Sequence, residues 1–168
     1  MLEPVPAAEL VRESAEVLGD EWPNVRIEVG DSLRAAGALL GSRVALQQIL
    51  VNLLKNAAEA IHEQSPAEGG RIRINAGSEW YEGREMVHLQ VADNGVGIDP
   101  AQLTRIFERG FSTKTRASGL GLHWCAVTAM AMDGRLYAES AGTGQGACLH
   151  LLLPRAPDRP APATSSGG

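Results

Sequence analysis

The chain has 168 residues, of which 44% are hydrophobic and 21% charged, and these values are typical of one globular domain with its own core. Its formal net charge of −5 argues against nucleic acid as a general electrostatic partner. No run approaches the roughly 18 apolar residues that span a bilayer, and the first residues show no basic segment followed by an apolar one. We therefore expect a cytoplasmic domain that makes no membrane contact.

The first half of the chain predicts a helix, two strands and a long helix. Residues 7–19 have amphipathic helical spacing, and residues 25–29 alternate as a half-buried strand does. A second short strand is expected between residues 33 and 41. Ser42 is a suitable N-cap for the long helix, which is expected to end near residue 64.

The second half predicts two strands, a short helix, a loop, another helix and two closing strands. Strands are expected at 71–78 and 84–93 with an exposed connection at 80–83, and again at 135–140 and 147–154. Asp99 and Pro100 predict a helix over 99–107, followed by a mobile loop at 108–118 and a helix from 119 to about 132.

This order of elements predicts the fold class. Helices and hairpins occur in blocks, which indicates an α+β two-layer sandwich with three main helices on one face of a mixed, mostly antiparallel sheet. One domain is expected over residues 1–154. The Pro/Ala/Ser/Gly-rich residues 155–168 are expected to form a disordered tail.

The long helix carries polar side chains that a purely structural helix would not need. Asn52 and Asn56 lie one turn apart on the same edge, and Lys55 lies beside them. An amide oxygen is a hard, neutral ligand suited to Mg²⁺, and a lysine offers a charge for phosphates. Taken alone, the pattern is more typical of a core helix with two bridging amides.

Two later segments have the composition of a nucleotide site. Asp93 ends a strand before Asn-Gly-Val-Gly, where a carboxylate can accept a hydrogen bond from an amine such as that of adenine. Gly-Leu-Gly-Leu at 119–122 begins a helix, whose N–H groups can bind phosphate, after a loop that contains Thr113 and Lys114. A common Asn-Gly turn and a glycine-permitted helix start are the structural alternatives.

The order of the segments is more specific than any one of them. NLLKNAAEA, DNGVGI, IFERGFSTK, GLGL and GTGQG resemble the nucleotide-binding motifs of the sensor histidine kinase catalytic domain, which shares a superfamily with Hsp90, DNA gyrase B and MutL. The resemblance spans about residues 6 to 154. It implies a Bergerat-type α/β sandwich that uses ATP and Mg²⁺.

The resemblance implies a role for each matching position. Asn56 would ligate Mg²⁺ with assistance from Asn52, Lys55 would lie near the phosphates, and Asp93 would bind the adenine amino group. With Asn52, Lys55 and Asn56, Lys114 of the lid would complete the catalytic set. The other implied nucleotide contacts are Gly95, Gly97, Ile98, Phe107, Thr113, Gly119, Leu120, Gly121 and Leu122, and Phe111 would flank the lid together with Phe107.

Asn52 separates branches within this superfamily. Hsp90, gyrase B and MutL are similar in placing a glutamate, a general base, four residues before the metal-binding asparagine. An amide at this position cannot take a proton, which favours a histidine kinase over an ATP hydrolase. A nucleotide-sensing module without phosphotransfer is the alternative from another class. The chain departs from the family pattern at Ala147, where relatives usually have threonine.

The resemblance also implies partners that these residues do not contain. The γ-phosphoryl would pass to a histidine on a dimerisation domain of a larger kinase, with a response regulator downstream. His62, His88, His123 and His150 are not expected to be that acceptor. The domain is expected to be a monomer alone and part of a dimer in the intact kinase, which can itself be membrane-anchored. Two cysteines make no disulfide framework and are expected to be free thiols.

Overall fold

The computed structural model describes residues 2–109 and 119–157. The strands are β1 (Glu3–Pro6), β2 (Val25–Val29), β3 (Ala38–Gly41), β4 (Gly70–Tyr81), β5 (Arg84–Asp93), β6 (Arg135–Glu139) and β7 (Ala147–Pro154). The α-helices are α1 (Ala7–Leu18), α2 (Ser32–Ala35), α3 (Arg43–Gln64) and α4 (Gly119–Ala131), and two 3₁₀ turns lie at Pro100–Gln102 and Arg105–Phe107.

A five-stranded sheet in the order β2-β4-β5-β7-β6 forms one layer of the fold. β2 runs parallel to β4, and the other neighbours in this sheet are antiparallel. β1 and β3 form a separate antiparallel pair. The predicted α+β sandwich with a mixed, mostly antiparallel sheet is therefore confirmed.

The inner face of the sheet packs against the helices and carries the start of the functional site. Ile72 and Ile74 of β4 are fully buried and pair with Asp93 and Val91 of β5. Residues directly opposite each other in an antiparallel pair project from the same face. Asp93 therefore points into the helical layer at the last position of β5.

Helix α3 is the centre of that layer. Ser42 caps it by accepting a hydrogen bond from the N–H of Ala45 at 3.2 Å, as predicted. The helix ends at Gln64, because Ser65 adopts a left-handed conformation with φ of 48°. Its buried face, at i, i+3 and i+4 spacing, consists of Leu46, Ile49, Leu50, Leu53, Leu54, Ala57, Ala58 and Ile61.

Two local predictions were wrong. The segment 99–107 forms two 3₁₀ turns instead of one helix, although Asp99 caps the first by accepting a hydrogen bond from the N–H of Ala101. A helix of so few residues is only marginally stable, because little propagation follows its nucleation. The backbone of this segment therefore follows the packing of Ile106, which is buried in the core. The connection at 80–83 is also shorter than expected, because Trp80 and Tyr81 continue β4 and a two-residue turn at Glu82 and Gly83 has positive φ at both positions.

The ends of the described chain are tied down by contacts that the sequence pattern did not reveal. β1 pairs with β3, so that Val5 becomes fully buried. At the other end, Arg155 bridges Leu39, and the N–H of Ala156 donates to the carbonyl of Ala38 at 2.9 Å. Residues 158–168, most of the expected tail, lie outside the described residues.

Two further expectations can be compared with the described part of the chain. None of its helices combines the length and the apolar character needed to cross a membrane. Cys125 and Cys148 are free thiols, Cys125 buried and Cys148 half-buried. Burial raises the pKa of the Cys125 thiol to about 12, which makes it unreactive at neutral pH.

Candidate functional site

Three residues four apart on α3, Asn52, Asn56 and Ala60, form a stripe along one edge of the helix. Cys125 of α4 lies beside the Asn52 amide, which opposes the rise in the pKa of the Cys125 thiol. A Cβ added to Gly121 would lie 3.4 Å from the Asn52 oxygen, so the first turn of α4 contacts this end of the stripe. In the part of the chain that the structure describes, the Asn56 amide makes no hydrogen bond to protein and is half-exposed.

The glycine segment, which we define as residues 93–98, begins at the end of β5 and contacts the other end of the stripe. The N–H of Val96 donates to the carbonyl of Ala60 at 3.0 Å. A Cβ added to Gly95 would lie 2.6 Å from the Ala60 carbonyl carbon, so only glycine allows this approach. The segment is therefore held directly against α3.

The Asp93 carboxylate lies where β5 leads into the glycine segment. Its Oδ1 accepts a hydrogen bond from the N–H of Gly95 at 2.8 Å. Burial raises the pKa of Asp93 to about 6, against the lowering effect of backbone hydrogen bonds from Gly95 and Ala147. The structure thus keeps an acidic group half-buried with a costly charge, which is typical of a group that accepts a hydrogen bond from a ligand.

The turn between β6 and β7 closes the back of the glycine segment. The N–H of Gly144 donates to the carbonyl of Val96 at 2.5 Å, and that of Gly146 donates to the carbonyl of Gly95 at 3.2 Å. Gly97 has φ of 78°, and a Cβ there would lie 2.2 Å from the Gly142 carbonyl oxygen. The Gly-Thr-Gly-Gln-Gly motif at 142–146 is thus a hairpin turn that also supports the site.

The start of α4 lies beside the second 3₁₀ turn. α4 begins at Gly119, as the Gly-Leu-Gly-Leu motif predicts, and Leu122 packs partly buried against the core. His123 Nδ1 lies 3.2 Å from the Phe107 carbonyl oxygen and donates to it when protonated at this nitrogen. Phe111, Thr113 and Lys114 lie outside the described residues.

These contacts arrange the sequence motifs along one edge of α3. Asn52 and Ala60 are eight residues apart, which on an α-helix is about 12 Å. The first turn of α4 lies at one end, the Asp93 segment at the other, and Asn56 lies between them. A ligand with a polar ring at one end and an anionic group at the other would fit this arrangement.

Comparison with known families identifies the architecture. Residues 41–157 match the model of the histidine kinase-, DNA gyrase B- and HSP90-like ATPase family. The chain belongs to this family. More specifically, it is an ATP-binding catalytic domain of the sensor histidine kinase type.

Relatives and solved structures agree with this assignment. The histidine kinase domain is 28% identical to the sensor histidine kinase TmoS of Ectopseudomonas mendocina over 92% of this chain and 16% of that protein. It is 38% identical to the two-component sensor PprA of Pseudomonas aeruginosa over 76% of this chain and 13% of that protein. The chain thus spans less than a fifth of either relative.

Two solved structures show the same fold. The mycobacterial sensor histidine kinase MprB superposes with a TM-score of 0.75 at 26% identity, covering 94% of this chain and 99% of that one. Full-length ShkA in complex with AMPPNP superposes with a TM-score of 0.72 at 28% identity, covering 95% of this chain and 32% of that one.

Sequence reasoning missed three residues that shape this site of the histidine kinase domain. Ala60 contacts Gly95, Cys125 lies beside the Asn52 amide, and Ser140 accepts a hydrogen bond from the N–H of Ile98 at 3.0 Å. Only Ala60 had a sequence signal, since it continues the four-residue spacing of Asn52 and Asn56. The other two come from elements distant in sequence and were accessible only from the fold.

Proposed function

We propose that this domain binds Mg²⁺-ATP along the α3 stripe and donates the γ-phosphoryl group to a histidine on the dimerisation domain of its parent kinase. The observation that carries the proposal is the meeting of three motifs on one helix edge. Asn52 contacts the start of α4, Ala60 contacts the Asp93 segment, and Asn56 lies between them.

The Asp93 end suits adenine. An ionised carboxylate accepts a hydrogen bond from an exocyclic amine, and burial strengthens that bond because competing water is excluded. Gly95 and Gly97 let the segment pack directly against Ala60 and Gly142, which sets the path of the backbone beside Asp93. Ile98, partly buried against the core, adds apolar surface at the same edge.

The α4 end suits phosphates. The N–H groups at the first turn of α4, from Gly119 to Leu122, have no partner within the helix and favour anions, and Lys55 is exposed beside the stripe. Thr113 and Lys114 are proposed to close over the phosphates, with Phe107 near the start of that lid. The Asn56 amide is a neutral oxygen donor that makes no hydrogen bond to any described residue, and it fits Mg²⁺, which would neutralise charge on the phosphates.

The stripe offers no general base at the position of Asn52, because an amide does not take a proton at neutral pH. Transfer would therefore depend on positioning and on neutralising charge, with the acceptor imidazole as the nucleophile. The dimerisation domain, the response regulator and the dimeric state of the parent kinase are part of this proposal. A domain that uses ATP in this way would act on the cytoplasmic side.

Calorimetric titration with ATP tests the binding site. We expect Asn56→Ala to lower ATP affinity in Mg²⁺ by about 10–100-fold, because a metal ligand is lost. The same variant should bind ATP in EDTA as the native chain does. Asn24→Ala, at an exposed position before β2, is the matched control and should leave both affinities unchanged. Unchanged affinity of Asn56→Ala in Mg²⁺ would refute the metal assignment.

A further inference from the structure

We propose that Ser140 is a positioning residue of the nucleotide pocket, whose hydroxyl fixes the glycine segment 93–98 in the shape that receives adenine. Ser140 follows β6 and is half-buried behind that segment. The inference rests on the proposed function, because it assigns the adenine end of the cleft to this segment.

The Ser140 hydroxyl makes the full set of hydrogen bonds that a hydroxyl can make. Its oxygen accepts from the N–H of Ile98 at 3.0 Å and from the N–H of Gly142 at 3.1 Å. The hydroxyl donates its proton to the carbonyl of Gly146 at 2.7 Å. The carbonyl of Gly142 lies farther away, at 3.3 Å. One donor and two acceptor positions are thus occupied.

Among the described residues, four hydrogen bonds join the glycine segment to α3 and to the chain between β6 and β7, and one of them is made by a side chain, that of Ser140. The other three join the backbone of Gly95 and Val96 to the backbone of Ala60, Gly144 and Gly146. A backbone bond survives any side-chain substitution, whereas the bond to Ile98 does not. Substitution of Ser140 therefore removes the support at Ile98, whereas the Asn94 side chain holds the start of the segment against Gly69 and Arg71.

The bond to Ile98 controls the far end of the segment. Its near end is fixed by β5 and by the bond from Gly95 to the Asp93 carboxylate. Gly97 must be glycine, because it has positive φ and approaches the Gly142 backbone closely. Since glycine has no side chain, its backbone is free to adopt many conformations. Without the Ser140 hydroxyl, Ile98 and Gly97 gain conformations that must be given up when a ring binds, which weakens affinity.

Ser140 reaches only backbone groups of the protein in the described structure, so it acts through the segment and not on reacting atoms. The loss should therefore fall on binding of the adenine end. The affinity for adenosine should decline as much as that for ATP, and the transfer rate at saturating ATP should be unchanged. A residue that merely stabilised the fold would shift the melting temperature without this pattern.

The test compares adenosine and ATP affinities of the 168-residue chain by calorimetry, well below the melting temperature. We expect Ser140→Ala to weaken both ligands equally, by about tenfold, the effect of one lost hydrogen bond and the added disorder. Ser140→Thr keeps the hydroxyl and should restore most of the affinity. Thr143→Ala removes an exposed hydroxyl from the same turn and should change neither affinity.

The outcomes separate this inference from the proposed function. A native chain that binds no ATP refutes the proposed function itself. If the native chain binds ATP, unchanged affinities in Ser140→Ala, or a loss confined to ATP, overturn the positioning role. If Ser140→Ala does not fold, hydrogen exchange of the Ile98 amide in the native chain decides: adenosine should slow it further, and exchange unaffected by adenosine would overturn the inference.

Discussion

Asp93 is the residue at which stability and binding oppose each other most directly. Burial raises the pKa of its carboxyl from 3.8 to about 6, so the folded chain binds a proton more tightly than the unfolded chain does. Ionised Asp93 therefore destabilises the nucleotide-free protein above about pH 6. This destabilisation is relieved as pH falls from about 6 toward 4, because the folded state then takes up the proton.

Because ionised Asp93 destabilises the nucleotide-free protein, Asp93→Asn should stabilise it at neutral pH. The variant should be more stable than the native chain at pH 7.5, by on the order of 1–3 kcal/mol in the free energy of unfolding, and the gain should shrink toward pH 4. It should also lose ATP affinity, because the amide can no longer accept as a carboxylate does. Urea titration and calorimetry measure the two effects. Asp20→Asn, at an exposed position, is the control.

An Asp93→Asn variant that is less stable than the native chain at pH 7.5 would contradict the burial argument. Unchanged ATP affinity would instead contradict the adenine assignment. Because the two measurements are independent, the structural and functional claims about Asp93 are tested separately.

At the residue scale, chemistry in the sequence predicted the polar groups but not their supports. Asn56 and Asp93 each have an ordinary structural use when taken alone, and the order of the motifs, through the family resemblance, is what singled them out. Ser140 and Cys125 were not singled out, since a serine after a strand and a cysteine in an apolar helix are ordinary. Their roles depend on which groups the fold brings opposite them, the Ile98 N–H for Ser140 and the Asn52 amide for Cys125.

At the element scale, the outer face of the sheet carries a hydrogen-bonded chain of four side chains from four strands. His88 Nε2 lies 2.7 Å from His150 Nδ1, His88 Nδ1 lies 3.0 Å from Glu79, and His150 Nε2 lies 2.8 Å from Glu139. Tyr137 stacks on His150 with centroids 4.5 Å apart. Since one proton lies between the two rings, a second charge on the pair would break this bond.

Burial, and next the charge of His150, lower the pKa of His88, while Glu79 opposes the shift. The folded state thus favours neutral His88, and its stability declines as pH falls below about 6.5. His88→Gln removes the bonds and also the titrating ring, so the variant lacks the acid sensitivity of the native pair. We therefore expect it to be less stable than the native chain at pH 8, with a difference that narrows toward pH 5.5. Urea titrations across this range measure it, and a widening difference would contradict the account.

Elements with strong periodicity were predictable, and elements made by pairing were not. The residues of α3 define its face and its serine cap, so that its bounds could be read from the sequence. β1 consists of four residues with two prolines and exists because β3 lies beside it. The segment 99–107 has a good helix start, yet it is too short to form a stable helix. Its conformation is set by the packing of the buried Ile106.

At the scale of the whole molecule, sheet order explains why distant motifs form one site. β5 and β7 are neighbours in the sheet although the segment containing α4 and β6 separates them in the chain, so Asp93 pairs with Ala147. This pairing places the turn at 142–146 against the glycine segment 93–98. The order of motifs predicted that they belong together through the family resemblance, whereas their hydrogen bonds follow from the sheet.

The central claim is that the α3 stripe holds Mg²⁺-ATP for transfer to a histidine. The most direct measurement mixes this domain with the separately produced dimerisation domain of its parent kinase and γ-labelled ATP, and follows label on protein and free phosphate. We predict acid-labile, base-stable label on the dimerisation domain, absent with Asn56→Ala. Release of free phosphate without labelled protein, or ATP binding with neither product, would contradict the account.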